Sequence, residues 1–305
     1  MAALYVTDWR QHCLWVLTGL ADPVPGRLGV GGNGAGQFNA PCGLAVDGQG
    51  RIYVADRGNH RVVRVDDVNG TGWTTLGVLG SGVGEFRAPT DVFLDASDRL
   101  YVADTGNHRI VRVDDIDGTG WTTFGQAGRP TAADPAAVGR LADPASVCVD
   151  QAGRISIADR GNGRIVRVDD LDGNGWAAFG PSPIGSALHL GGPTGIRPDA
   201  SGALLVADFG GRRLLRLDDL GAAGQEPIVP TTGNEPGLLG STSVVPLAAV
   251  DAKGAPDEHL LVVDAASRRL LELARDAAGT WTLAAWQLDV GGSRSKLFGL
   301  CVEPA

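Results

Sequence analysis

The sequence predicts an all-β fold, a six-bladed β-propeller of four-stranded antiparallel blades in one domain spanning 1–305. Three observations predict it. An aspartate recurs at Asp8, Asp56, Asp104, Asp159, Asp208 and Asp264, with separations of 48, 48, 55, 49 and 56 residues. A period near 50 is a spacing of propeller blades. Each period holds four short strand patterns divided by turns, and the two ends of the chain carry complementary parts of one period.

The elements follow in order within the unit around Asp56. Gly43 to Asp47 is a short apolar run, expected as the innermost strand, and Gly48-Gln49-Gly50 turns it. Arg51 to Ala55 is the second strand. Arg57 to His60 turns the chain again, and Arg61 to Val65 alternates as a half-buried strand does. Asp67 to Gly72 contains Asn-Gly, which tolerates positive φ and suits a hairpin. Trp73 to Leu76 is the outer strand. Trp121, Trp176 and Trp281 hold the same slot and are expected to cover the outer edge of a blade, which otherwise exposes unpaired backbone.

The chain begins on a second strand, Leu4 to Thr7, so the innermost strand of that blade is missing at the start. Phe298 to Glu303 repeats the pattern of Cys42 to Asp47 and is expected to supply it, closing the ring. The expected blades are 1–40 with 297–305, 41–88, 89–143, 144–192, 193–245 and 246–296.

Composition narrows the function classes. Glycine makes up 46 of 305 residues, against an ordinary share of about 7 %, and is spread along the chain as many turns would be. Hydrophobic residues at 43 % suffice for a sizeable core. No apolar run approaches the roughly 20 residues that cross a bilayer, so no membrane role is expected. A net charge of −9 disfavours generic nucleic-acid binding. Only Lys253 and Lys296 are lysines among 26 basic residues, which with abundant Ala and Gly fits a GC-rich bacterial coding bias. Cys13, Cys42, Cys148 and Cys301 form no C-x-x-C pair and read as buried free thiols in a reduced compartment. The first residues already read as a strand rather than a signal peptide, so a cytoplasmic location is expected.

Ala-Asp-x-Gly-Asn-His-Arg-[Val/Ile]-Val-Arg-Val, at 55–65 and 103–113, resembles the NHL-repeat family. The third copy reads Asn162-Gly163-Arg164, without the histidine. The fifth and sixth read Gly211-Arg212-Arg213 and Ser267-Arg268-Arg269, and the first keeps only His12. The resemblance implies the propeller fold and leaves function open, because propellers host binding modules, sensors and enzymes.

Candidate sites are expected on the face that carries the loops after the second and fourth strands. Arg61, Arg109, Arg164, Arg213 and Arg269 share one slot there. A cationic ring would suit an anion or RNA, but a constant spacing of five residues from the repeat aspartate predicts a structural ion pair within each blade. His60 and His108 are candidate ligand contacts in the same turns, with loop hydrogen bonding as the alternative. On the innermost strands the leading slot reads Gly43, Asp91, Ser146, Gly195, Leu247 and Gly299, and two residues on it reads Ala45, Phe93, Cys148, Arg197, Ala249 and Cys301. Asp91 and Arg197 are charges in otherwise small or apolar series. An unpaired buried charge is costly, so Arg197 either finds a carboxylate, Asp91 across the channel, or faces a ligand. Long connections at 126–144 and roughly 230–245, with His189 in a third, add candidate specificity elements.

The turn at Asp115, Asp117 and Thr119 offers alternating oxygens as half a calcium loop does, but Trp121-Thr122-Thr123 supplies no bidentate acid, so a plain hairpin is the favoured reading. No cofactor is expected. No Gly-x-Ser-x-Gly, His-x-x-x-His or phosphate-binding loop is present, and the Gly-rich 29–36 stretch reads as a turn. Amidating lyase, gluconolactonase and strictosidine synthase propellers use acidic or histidine residues around the channel, and this chain matches none of their signatures residue by residue. The expected function is a non-catalytic scaffold recognising a small-molecule ligand or protein partner at the channel mouth, through Asp91, Ser146, His189, Arg197, His60 and His108. The alternatives are a propeller lyase, lactonase or cyclase at the same mouth, and RNA binding by an Arg-rich face.

Overall fold

The computed structural model describes residues 3–17, 26–131, 134, 137–180, 190–199, 201–218, 225–228, 241–250, 256–264, 269–275, 281–286 and 297–302. The chain is an all-β propeller built of six four-stranded antiparallel sheets. Blade 1 takes strands from both chain ends: Leu297–Val302, Leu4–Asp8, Cys13–Leu17 and Gly26–Leu28. Leu297–Val302 pairs antiparallel with Leu4–Asp8, Leu4 opposite Val302 and Val6 opposite Leu300. Blade 2 comprises Pro41–Val46, Ile52–Asp56, Arg61–Val65 and Thr74–Leu76. Blade 3 comprises Asp91–Leu94, Leu100–Asp104, Arg109–Val113 and Thr122–Phe124. Blade 4 comprises Pro144–Val149, Ile155–Asp159, Arg164–Val168 and Ala177–Phe179. Blade 5 comprises Pro193–Pro198, Leu204–Asp208, Arg213–Leu217 and Gln225–Ile228. Blade 6 comprises Ser241–Val250, Pro256–Asp264, Arg269–Arg275 and Trp281–Trp286.

The core lies between blades. Successive residues of a strand point to opposite faces, so one second strand serves two interfaces. Ile52 and Val54 pack toward blade 1, with Tyr5, Leu14 and Val16. Tyr53 and Ala55 pack toward blade 3, with Phe86, Val92 and Val102. Equivalent clusters join blades 3 and 4, 4 and 5, and 5 and 6. Trp73, Trp121 and Trp176 belong to these interfaces rather than to an outer edge. Trp73 meets Phe38 at 5.0 Å and Trp121 meets Phe86 at 5.1 Å, ring centre to ring centre. Leu141 replaces that phenylalanine in blade 4, and Trp176 turns to Phe124 of blade 3 at 6.2 Å. The outer strands of blades 2, 3 and 4 begin one residue after their tryptophans, at Thr74, Thr122 and Ala177, whereas that of blade 6 begins at Trp281.

Because Pro41 stands opposite Asp56, the turn after each second strand and the connection from each outer strand to the next blade share one face, here the upper face. The connection at 29–38 is more than a turn: Val30–Gly31 pairs in parallel with Gln37–Phe38. The same two-residue ladder recurs at 78–79 with 85–86 and at 126–127 with 140–141, so the long 126–144 connection is tied at its base.

Blade 6 departs from the expected boundaries. Its innermost strand begins at Ser241 and runs to Val250, so the connection expected to reach about residue 245 ends earlier and the blade starts before 246. Ser243, opposite Val263, holds the slot that the sequence pattern assigned to Leu247, and Leu247 lies opposite His259. The shift follows from Pro246, which resembles the strand-opening Pro41, Pro144 and Pro193 yet stands inside this strand. An edge strand tolerates proline because one side of its backbone is unpaired.

Candidate functional site

In blades 2, 3 and 4 the turn after the second strand is organised by its repeat aspartate. Asp56, Asp104 and Asp159 are fully buried. Asp104 accepts hydrogen bonds from the backbone N–H of Arg87 at 2.7 Å, Asn107 Nδ2 at 2.8 Å and Arg109 Nε at 2.8 Å. Asp56 and Asp159 repeat the pattern with Asn39, Asn59 and Arg61, and with Ala142, Asn162 and Arg164. Burial pushes these three carboxyls above their ordinary pKa, against the pull of their donors. The arginine then reaches back to the incoming connection: Arg109 donates to the carbonyls of Ser81, Gly82 and Glu85. Arg61, Arg109, Arg164 and Arg213 are therefore structural partners of their own blades.

His60 and His108 hold neighbouring blades together. Each adopts left-handed backbone after a short 3₁₀ turn, with φ of 57° and 56°. His60 Nδ1 accepts the N–H of Ala88 at 3.0 Å, His108 Nδ1 that of Asp143 at 3.0 Å, and His12 Nδ1 that of Ala40 at 2.9 Å. They sit in inter-blade links, apart from the charged cluster of the innermost strands. Gly163 takes the histidine's position in blade 4 with φ of 60°, a conformation glycine adopts freely. His189 lies outside the described residues.

The charged departures on the innermost strands meet. Arg197 Nη1 donates to Asp91 Oδ2 at 3.0 Å and Nη2 to Oδ1 at 3.1 Å, a bidentate pair. Ser146 Oγ donates to Asp91 Oδ2 at 2.5 Å and accepts from Arg197 Nη1 and from the N–H of Ile196, both at 3.2 Å. The guanidinium also lies 5.8 Å from the centre of the Phe93 ring. Asp91 is 4 % exposed. The pair joins blades 3 and 5 past Ser146 of blade 4, so it runs along the wall of the innermost strands rather than across the channel. Just above it, Thr105 Oγ1 donates to the carbonyl of Pro144 at 2.7 Å, and Thr90 Oγ1 to that of Ala145 at 2.9 Å.

The turns that resemble half a calcium loop are closed by their own side chains. Asp115 accepts from the N–H groups of Asp117 and Thr119 and from Thr119 Oγ1 at 2.8 Å. These bonds hold its carboxyl below the ordinary pKa. This is an Asx turn, and it occupies the oxygens a cation would need. No cluster of three metal-ligating side chains stands among the described residues.

Two features of the upper face escaped the sequence reading. Of seven large hydrophobic side chains exposed among the described residues, six lie there: Val30, Val78, Leu79, Val83 and Val138 on the connections, and Phe209 on a turn. Arg57, Arg87 and Arg160 are exposed on the same face, and no hydrogen bond or ion pair of their side chains stands among the described residues. A signal was present: the residue after each repeat aspartate reads Trp9, Arg57, Thr105, Arg160, Phe209 and Ala265. That slot varies while its neighbours recur.

The NHL repeat model matches residues 38–65, 86–113 and 141–168, adding the histidine-free third copy to the two strong ones. No curated protein matches the chain in sequence. Among solved structures, a nidogen/laminin complex aligns over 100 % of this chain and 99 % of the other at 16 % identity, with a TM-score of 0.70. A streptogramin B lyase aligns over 98 % of this chain and 83 % of the other at 14 % identity, TM-score 0.64. A virginiamycin B lyase from Staphylococcus aureus aligns over 97 % and 84 % at 13 % identity, TM-score 0.61. Likeness at this level of identity is a likeness of fold, shared by binding proteins and lyases alike. The chain is a β-propeller that carries NHL repeats.

Proposed function

We propose that this propeller is a non-catalytic binding scaffold that recognises its ligand or protein partner on the upper face, around the channel mouth. The observation that carries this reading is the segregation of exposed apolar side chains: six of the seven large ones among the described residues lie on that face, on connections and a turn beside the buried aspartates of the Asp–Arg pairs. Apolar groups presented on a rigid frame form an interaction surface at low entropic cost. Asp91 and Arg197, the charges that favoured an enzyme, are spent on each other, which supports the same reading.

The test compares two variants of the whole chain. Val78, Leu79 and Val83 changed together to serine should abolish capture of a specific partner from cell extract. Val68→Ser, on the opposite face and also exposed, should preserve it, and both should melt as the parent does. Equal capture by the upper-face variant and the parent, or loss with Val68→Ser, would overturn the assignment.

A further inference from the structure

We propose that the channel mouth is an anion site, formed by Arg57, Arg87 and Arg160, for a small molecule that carries a carboxylate or phosphate on an apolar body. The inference rests on the reading of the upper face as the binding face and names the ligand chemistry at its centre.

Topology places the three arginines on one face of neighbouring blades. Arg57 and Arg160 each follow a repeat aspartate and open the equivalent turns of blades 2 and 4. The residue in this slot points toward the start of the next innermost strand. Thr105, its counterpart in blade 3, reaches the carbonyl of Pro144. The stem of Arg160 lies over Gly192, where a Cβ would stand 3.9 Å from its Cγ. Thr105 leaves blade 3 without a cation in this slot, and Arg87 supplies one. Its stem covers Gly106, the residue after Thr105, where a Cβ would stand 2.6 Å from Arg87 Cγ. The arc therefore runs over three consecutive blades.

The electrostatics agree with this placement. Arg57 of its own blade and Arg160 from two blades away both favour the Cys42 thiolate, although burial prevails and pushes that thiol up to about 12. Asp91 and Asp56 act on the same thiol in the opposite sense. The acids of this region are engaged: Asp91 by Arg197 and Ser146, the repeat aspartates by their own arginines. Asp143, at the entry to blade 4, faces His108 at 3.6 Å. Three exposed arginines without partners among the described residues, on one face of a chain of net charge −9, are a local reversal of sign that focuses anions. Guanidinium groups match carboxylate and phosphate in geometry. The apolar part of the ligand has a surface beside them. Phe209, 44 % exposed, holds the same slot in blade 5, and its N–H bonds the carbonyl of Gly192, under the Arg160 stem.

Calorimetric titration at constant ionic strength tests this with two probes, phenyl phosphate for the phosphate class and phthalate for the carboxylate class. At least one should bind with a dissociation constant below about 10 mM. The triple variant R57Q/R87Q/R160Q should weaken it by at least about tenfold, and Phe209→Ser by a few-fold. Arg167→Gln, which removes a half-buried arginine that lines a cleft between blades 4 and 5, should leave binding unchanged. Arg57, Arg87, Arg160 and Phe209 are exposed, so the triple variant and Phe209→Ser should keep the parent's melting temperature. Binding of neither probe, or equal binding by parent and triple variant, would overturn the anion site. Binding of neither probe by a parent chain whose partner capture is lost with the valine–leucine variant would overturn it while leaving the scaffold reading intact.

Discussion

Replacing Arg197 by methionine tests whether the charges on the innermost strands serve the fold. Asp91 is 4 % exposed and accepts four hydrogen bonds, two of them from Arg197. Methionine fills similar volume and leaves the carboxylate with Ser146 Oγ and the N–H of Val147. Breaking a buried ion pair by removing one partner costs about 3–5 kcal/mol. The two surviving donors place this case at the lower end, about 3 kcal/mol. At about 2 °C per kcal/mol for a domain of this size, the melting temperature should fall by about 6 °C. The double variant Asp91→Ser with Arg197→Met removes both charges and installs the residue blade 4 already carries in that slot. It should recover more than half of the loss, a coupling of about 2 kcal/mol. Urea unfolding followed by tryptophan fluorescence reads all three proteins. A single variant within about 0.5 kcal/mol of the parent, or losses that simply add, would refute the claim that this pair is structural. It would return Arg197 to the solvent-facing role of a ligand contact.

Other consequences are as direct. Burial would raise the Asp47 carboxyl, but Arg51 Nε and the N–H groups of Arg51 and Gln49 outweigh it and hold the pKa below the ordinary 3.8. Asp47 therefore contributes stability above pH 3.8 that is lost as pH falls through its lower folded value; a titration of the Asp47 carboxyl carbon by NMR with its midpoint at or above 3.8 would contradict this. Burial pushes the thiols of Cys13, Cys42 and Cys148 up to about 12, so Ellman's reagent at pH 8 should label them only after unfolding, and rapid native labelling of any of the three, located by mass spectrometry, would refute it. A Cβ at Gly43 would stand 2.6 Å from Asp91 Cα and 2.9 Å from the carbonyl of Thr90. Gly43→Ala should cost more than about 2 kcal/mol, while Gly48→Ala, with nothing within 4 Å, should change little.

The fold was legible because its repeating parts are the ones that hold it together. Asp56, Asn59 and Arg61 recur at fixed spacing in blades 2, 3 and 4 since each makes a hydrogen bond that holds the turn, and Ile52 to Ala55 run as an unbroken apolar stretch because both faces of the strand are covered. The pairing of Asp91 with Arg197 was legible for a different reason: a buried charge needs a partner, and the innermost strands offered few. Its course was not legible, because the reach of an arginine past Ser146 depends on how far adjacent strands are offset. Blade 6 misled at Pro246, where local pattern and strand limits disagree. The candidate anion site was missed because pattern reading rewards recurrence, and Arg57, Thr105, Arg160 and Phe209 do not recur.

That last contrast has a physical basis. In the upper-face turns of blades 2, 3 and 4 the aspartate carboxylate is held by backbone N–H, asparagine and arginine, and the left-handed residue that ends the turn is fixed by its φ. The residue directly after the aspartate takes no part in these bonds in blades 2 and 4, so its side chain is free of the constraint that preserves its neighbours. Arginine at 57 and 160, threonine at 105 and phenylalanine at 209 all fit on one backbone shape. A scaffold of this kind separates stability from recognition within five residues of sequence. Substitution at Asp104 would loosen a blade, whereas substitution at Arg57 or Arg160 would change what the mouth attracts and leave the blades as they are.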